Sequence, residues 1–379
     1  MAIRTTTSTE LVEFDRSIAD AEASTIVVWR GEGLPFAEVP ERISEIGSRG
    51  ERDLLYGAYR EALEALNPRY AERMAGWLAD GDPVEAAAAR GDDPRQLASD
   101  LVRFVLHSET PYYAALRRYL AQIDIEQGDA TLADLWHVVR GGAWSHWFGE
   151  REIRRAVLAS GRTVVESPRA AGWRSAEASL AGDAAGRAGV ATRAANTAYA
   201  SLVGAPEWLA QELGISGNEV VPFTDFAAFV RLWRVRHDIG RMQYELRMYA
   251  DPDEPAVARA YYSGIVGHMI GVSVPEEAYL HTIRAPLASV ADVQSAILAA
   301  QLIEALEHRH GATWWTASEA HALAAELSAA PSLTDALAQL GYDALDWRPL
   351  LRQIRTRLIG EMSGYGGPNI TTRAGTRKV

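Results

Sequence analysis

The sequence predicts an all-α protein, and three observations predict it. Apolar residues recur at helical spacing in segment after segment, alternating strand-like runs are almost absent, and Gly, Pro, Asp and Ser punctuate the intervals between segments. Taken in order, the spacing predicts helices over 9–28, 50–66, 68–80, 96–106, 111–124, 131–140, 150–160, 206–213, 224–250, 254–271, 275–283, 317–328, 333–340 and 347–361. Val235, Ile239, Met242, Leu246 and Tyr249 make one apolar stripe. Val293, Ile297, Ala300, Ile303, Leu306 and His310 make another, which ends at Gly311 as a C-terminal stop. Candidate strands are limited to 25–29 and 219–222. Breaks fall at Gly81–Pro83, Gly91–Pro94 and Ala330–Ser332.

Two regions depart from the helical pattern. Residues 161–192, with Gly172, Gly182, Gly186 and Gly189, are small, glycine-rich and weakly periodic, which suits either a mobile linker or a helix of poor propensity, and they are expected to connect two lobes, 1–160 and 193–362. The tail 363–379 is expected to be disordered. There is no internal repeat.

Composition narrows the chemistry. The chain has 379 residues, 48% hydrophobic and 23% charged, enough for a sizeable core in one large or two medium domains. It has no cysteine, which excludes disulfides, thiolate nucleophiles and iron–sulfur clusters and leaves a metal only histidine or oxygen ligands. A net charge of −12 without a basic run argues against a nucleic-acid partner. Lys378 is the only lysine, so no Schiff-base or phosphate-loop lysine serves the folded part; with the abundant alanine this suggests the codon bias of a GC-rich, bacterial genome. No run approaches 18 apolar residues and 1–10 has no signal-like apolar core, so no membrane partner and a cytoplasmic location are expected. Nucleophile-elbow, dinucleotide and phosphate-loop patterns are missing, and no cofactor is expected.

The order of landmarks along the chain resembles the thimet-oligopeptidase-like helical zinc metallopeptidases, with angiotensin-converting enzyme as a more distant likeness. In the first half these are Asp100-Leu101-Val102-Arg103-Phe104, Glu109-Thr110-Pro111-Tyr112-Tyr113 and Trp144-Ser145-His146-Trp147-Phe148. In the second they are the helix around Arg236–Leu246, Ser273–Leu280, Gln294–His308, His310–Trp315 and Gly341–Asp346. The resemblance implies a multi-helix metallopeptidase-like fold with a central cleft.

Such enzymes carry His-Glu-x-x-His on a helix, so that two imidazoles bind zinc while the glutamate activates water. That string occurs nowhere in this sequence. The nearest is His237-Asp238-Ile239-Gly240-Arg241, and an arginine cannot shed its proton to bind a dication. Two alignments stand open. One sets His237–Arg241 on the zinc helix, so that the third ligand falls at Gly264 or Ile265, which cannot coordinate. The other keeps the order of the later landmarks: 191–209 then takes the place of the third-ligand helix with Arg193 at the ligand position, and the segment around Asp292 takes the place of a tyrosine-bearing helix. Either way no metal site is expected.

The candidate residues each have a plain structural reading beside the functional one. His137 and His146 lie in an aromatic-rich stretch that serves packing or lines a pocket. Tyr261, Tyr262 and His268 share a helical stretch that lies at a helix interface or places phenols and an imidazole in one cavity. His237, Arg241 and Glu245 lie off the apolar stripe, where spacing of four suits an Arg–Glu pair. His308 and His310 suit a helix C-terminus. The expectation is a zinc-less pseudopeptidase-type protein that binds a peptide or small molecule in the cleft. The alternative is a cofactor-independent enzyme of acid–base or cyclisation chemistry, as in bacterial secondary metabolism, using His137, His146, Tyr261, Tyr262 and His268. Residual metallopeptidase activity is a distant third.

Overall fold

A computed structural model of the chain describes residues 8–79, 81–89, 93–140, 188–215, 217–250 and 254–358. Among these residues are fourteen α-helices and one two-stranded sheet, so the expected all-α class holds.

The chain opens with α1 (Ser8–Ser24) and a hairpin of β1 (Ile26–Trp29) and β2 (Glu32–Pro35). The strands pair antiparallel with Val27 opposite Leu34 and Trp29 opposite Glu32. Arg30 and Gly31 both take positive φ, the backbone that a two-residue hairpin turn matching the strand twist demands. Then follow α2 (Val39–Glu45), the long α3 (Arg49–Ala79), α4 (Pro83–Ala88), α5 (Pro94–Ala121) and α6 (Leu132–Arg140). The second half contains α7 (Ala188–Ala200), α8 (Pro206–Leu213), the long α9 (Val220–Ala250), α10 (Pro255–Ile270), α11 (Ala288–His310), α12 (Ser318–Ser328), α13 (Leu333–Leu340) and α14 (Arg348–Arg355).

One continuous apolar core runs from Ile18 to Leu358 through both halves. At roughly 1.5–3 kcal/mol for each large apolar side chain removed from water, this core is the main stabilising term. At its centre lies α11, whose Val293, Ile297, Leu298, Leu302 and Leu306 are all buried; its closest neighbours are α7, α9 and α14. This helix is long and apolar enough to cross a membrane by length and composition, yet most of it is packed inside the protein. Gly311 ends it with positive φ, as expected, and donates to the Glu307 carbonyl at 2.8 Å. A buried ion pair ties α3 to α6: the Arg52 guanidinium donates to Asp134 at 2.8 Å and to the Ile46 and Gly47 carbonyls. Asp134 in turn accepts the Thr131 N–H and hydroxyl, so it also holds the start of α6.

Several predicted boundaries are corrected. The segments 50–66 and 68–80 form one helix through Pro68, and 96–106 and 111–124 form one helix through Pro111. Proline disfavours the helical conformation of the residue before it and removes one N–H. Tertiary packing overrides both effects, because Tyr70, Met74 and Trp77 continue the buried face of Leu55, Tyr59 and Leu63, as Tyr112, Leu116 and Tyr119 continue that of Leu101 and Phe104. The predicted helix 9–28 stops at Ser24, where the β-branched run Ile26-Val27-Val28 enters the hairpin. The predicted strand at 219–222 is instead a 3-10 turn, Gly217–Glu219, leading into α9. The predicted helix 275–283 is a single 3-10 turn, Glu276–Ala278, followed by turns. Of the expected connecting segment, 188–192 belongs to α7; its remainder, the predicted helix 150–160 and the tail 363–379 lie outside the described residues.

Candidate functional site

Four pieces of chain bring charge together beside α11. The start of α11 is fixed from α9: Glu245, only 2% exposed, accepts the backbone N–H groups of Leu287 and Ser289, the Ser289 hydroxyl, and the Tyr249 hydroxyl at 3.0 Å. These donors include N–H groups that no helical carbonyl reaches, so a side chain from another helix does the work of a cap. Glu245 thus takes a structural role, capping α11 from α9, while Arg241 one turn away still acts on its carboxyl. Burial pushes its carboxyl up, and the Ser289 hydrogen bond, Arg241 and Tyr249 pull it back.

With α11 anchored, Asp292 faces α7 and α9. It is 3.4 Å from the Arg193 guanidinium on α7 and 3.7 Å from that of Arg241 on α9. Arg241 also lies 3.3 Å from Asp238, and it donates to the Thr282 carbonyl in the segment before α11. His237, 3.8 Å from Asp238, stacks on Trp233. Arg284 adds a third guanidinium to the field at Asp292. Burial pushes the Asp292 carboxyl up to about 6, and Asp238 adds to that, against the pull of Arg241, Arg193 and Arg284. His237 is shifted down by burial, with Asp238 opposing. His281, packed edge-on to Phe36 and Tyr70, is pushed down to about 3, first by burial and then by Arg284, Arg73 and Arg241. Both imidazoles are thus held neutral at pH 7.

Close helix packing sets Tyr262 beside this cluster. Gly240 of α9 lies against α10 so tightly that a Cβ there would meet Val266 Cα at 3.3 Å and Met269 Cγ at 3.1 Å. Tyr262, fully buried, packs edge-on to Tyr244 with ring centres 5.1 Å apart. Burial pushes its hydroxyl up to about 12, while Arg241 and a hydrogen bond with Thr282 pull the other way.

The sequence-predicted residues fall in different places. Tyr262 borders the charged cluster. Tyr261, one residue earlier, is 38% exposed and lies alongside Tyr244. His268 is exposed, and its backbone carbonyl accepts the Tyr113 hydroxyl at 2.6 Å. His137, half-buried on α6, donates from Nδ1 to the Ser44 carbonyl of α2 at 2.7 Å, and burial shifts its pKa down. His146 lies outside the described residues. His308 is exposed at the end of α11 and His310 is part-buried there, as suits a helix C-terminus. Sequence spacing did not reveal Arg284 or His281, or the meeting of Arg193 with Asp292; the last two were named only through the resemblance, as places in two separate helices.

Among the described residues no three His, Asp or Glu side chains are grouped as a metal ion requires. In the alignment that sets Arg193 at a ligand position, its guanidinium stays protonated and would repel a dication. A shallow surface depression of about 400 Å³ lies elsewhere, lined by Gln127, Gly128, Gly267, Gly271, Val272 and Ser273. No titratable side chain lines it, so chemistry points to the charged cluster instead.

Compared by sequence, the chain matches no protein-family model and no curated protein. Compared by structure, it is similar to PZ peptidase A with inhibitor 2, with a TM-score of 0.60 and 11% identity over 93% of this chain and 77% of that one. It is also similar to a putative oligoendopeptidase F, with a TM-score of 0.56 and 12% identity over 93% of this chain and 76% of the other. The chain has an all-α, metallopeptidase-like fold. At such identities the likeness concerns the fold alone, and function rests on the site.

Proposed function

We propose that this protein is a zinc-less, pseudopeptidase-type protein that uses the metallopeptidase-like scaffold to bind a peptide or small molecule. One observation supports the reading: Arg193, which one of the two alignments sets at a zinc-ligand position, lies 3.4 Å from Asp292, and a guanidinium paired with a carboxylate is no metal ligand. Arg193 and Asp238 are about one-fifth to one-quarter exposed, so the cluster is within reach of a ligand from solvent.

The test is to incubate the purified full chain with a mixture of acetylated tripeptides, with and without added zinc. Binding is followed as a thermal shift and cleavage by mass spectrometry. A shift without cleavage in either arm supports the reading; zinc-dependent cleavage overturns it. The cofactor-independent enzyme remains a second reading because Tyr262 adjoins Arg241 and the Asp292 carboxyl titrates near 6, within range of general acid–base work. Metal-independent conversion of a peptide in the same mixture would favour it.

A further inference from the structure

We propose that the open edge of the hairpin binds an extended peptide segment, which adds beside β1 as a third strand through main-chain hydrogen bonds to Ile26 and Val28. This surface uses backbone groups of the hairpin and none of the charged cluster, so it goes beyond the function proposed above and does not depend on it.

Backbone direction points to a strand. The Phe36 N–H donates to the Thr25 carbonyl at 3.0 Å, which sets the alternation along β1: Thr25, Val27 and Trp29 turn their backbone groups to β2, and Ile26 and Val28 turn theirs away. No group among the described residues bonds the N–H or C=O of Ile26 or Val28. Unpaired groups in a row along a sheet edge are a template for another strand. The β2 edge is not equivalent, because Pro35, which faces outward opposite Ile26, has no N–H to offer. Nothing blunts the β1 edge, since Ile26-Val27-Val28-Trp29 contains no charge and no proline and pairs with β2 without a bulge.

The side chains specify the partner. Val27 and Trp29 are buried, while Ile26 is 53% and Val28 69% exposed on the outer face. Opposite them lie Pro35 and Gly33, so that face carries no polar side chain. Ile26 leans across Gly33, where a Cβ would meet its Cγ2 at 2.8 Å. An antiparallel strand added here sets its own side chains beside Ile26 and Val28, where β-branched pairs are favourable. The partner is therefore an extended segment with β-branched residues at alternate positions, held by its main chain and sorted by those side chains. A second copy of this chain fits less well. Two exposed apolar side chains on the strand fall well short of the roughly 800 Å² per partner of a standard interface, and a net charge of −12 repels a like chain.

The probe is a hexapeptide of alternating valine and threonine, acetylated, amidated and carrying a fluorophore, titrated against the full-length protein by fluorescence anisotropy. N-methylation of its valines removes the N–H groups that face β1 in an antiparallel addition; N-methylation of its threonines removes those that face away. The valine-methylated peptide should bind about tenfold more weakly than the parent, and the threonine-methylated peptide about as well. Val28→Pro, which removes an edge N–H that the hairpin itself does not use, should abolish binding. Val28→Lys, which keeps that N–H but puts a charge on the apolar face, should weaken binding severalfold, and circular dichroism reads the fold of both variants. Loss confined to the threonine-methylated peptide would reverse the direction of the added strand and uphold the inference. No binding, equal loss on methylating either set, or affinity unchanged in both variants would overturn it. A dimer in sedimentation that Val28→Pro dissolves would give the edge to a second copy and overturn it as well.

Discussion

Arg193 on α7 and Asp292 on α11 lie 3.4 Å apart across the most extensively packed helix pair among the described residues, at positions separated by 99 in sequence. The contact is long for an Arg–carboxylate pair, and the carboxyl is only 7% exposed. Its charge is therefore held at a cost, with Asp238 nearby adding to that cost.

From this follows an inverted pH dependence at Asp292. Its folded pKa is raised to about 6 from an ordinary 3.8, so its favourable contribution is complete below the unfolded value and is lost as pH rises through about 6. Asp292→Asn removes the titration. Urea unfolding of both proteins should show the variant gaining on the wild type by on the order of 2–3 kcal/mol between pH 4 and pH 7. A stability difference that does not change with pH would refute the assignment.

His281 behaves in the opposite sense. Burial and three arginines push it down to about 3, so its neutral form stabilises the fold above pH 6.5 and that contribution is lost as pH falls from there toward 3. Against His281→Phe, the wild type should lose roughly 2 kcal/mol between pH 7 and pH 5. The same denaturation series measures it, and parallel curves for the two proteins would show the imidazole to be ordinary.

Glu245 holds the start of α11 through the Leu287 and Ser289 N–H groups. Glu245→Ala strips the partner from the Leu287 and Ser289 N–H groups at the start of α11 and should cost about 3 kcal/mol of global stability. Glu245→Gln, whose amide oxygen still accepts one N–H, should cost less. Amide hydrogen exchange at the first turn of α11 reads the effect locally. Unaltered protection there in Glu245→Ala would mean that the helix start is held by other groups.

Much of the fold was legible in sequence because the stripes of α9 and α11 repeat at helical spacing and end at recognisable stops such as Gly311. Boundaries at Pro68 and Pro111 were not, since local backbone preference argues for a break that distant packing partners override. The site was legible only in part. His237, Arg241 and Glu245 announce themselves by spacing on one helix, but spacing cannot say that Arg241 turns toward Asp238 and Asp292 while Glu245 serves another helix. Arg193, Arg284 and Asp292 come from separate elements, and their convergence is a tertiary event with no sequence period. The available hint was a carboxyl and a guanidinium interleaved with the buried Met242, Tyr244 and Tyr249 of α9.

On the proposed reading the protein keeps a metallopeptidase-like scaffold without its metal. Metal content of the purified protein, measured by mass spectrometry after dialysis against excess zinc and then against zinc-free buffer, tests it most directly. The expected content is far less than one zinc per chain, unchanged in Arg193→Glu or Asp292→Asn. One zinc retained per chain, lost on substitution at either position, would contradict it.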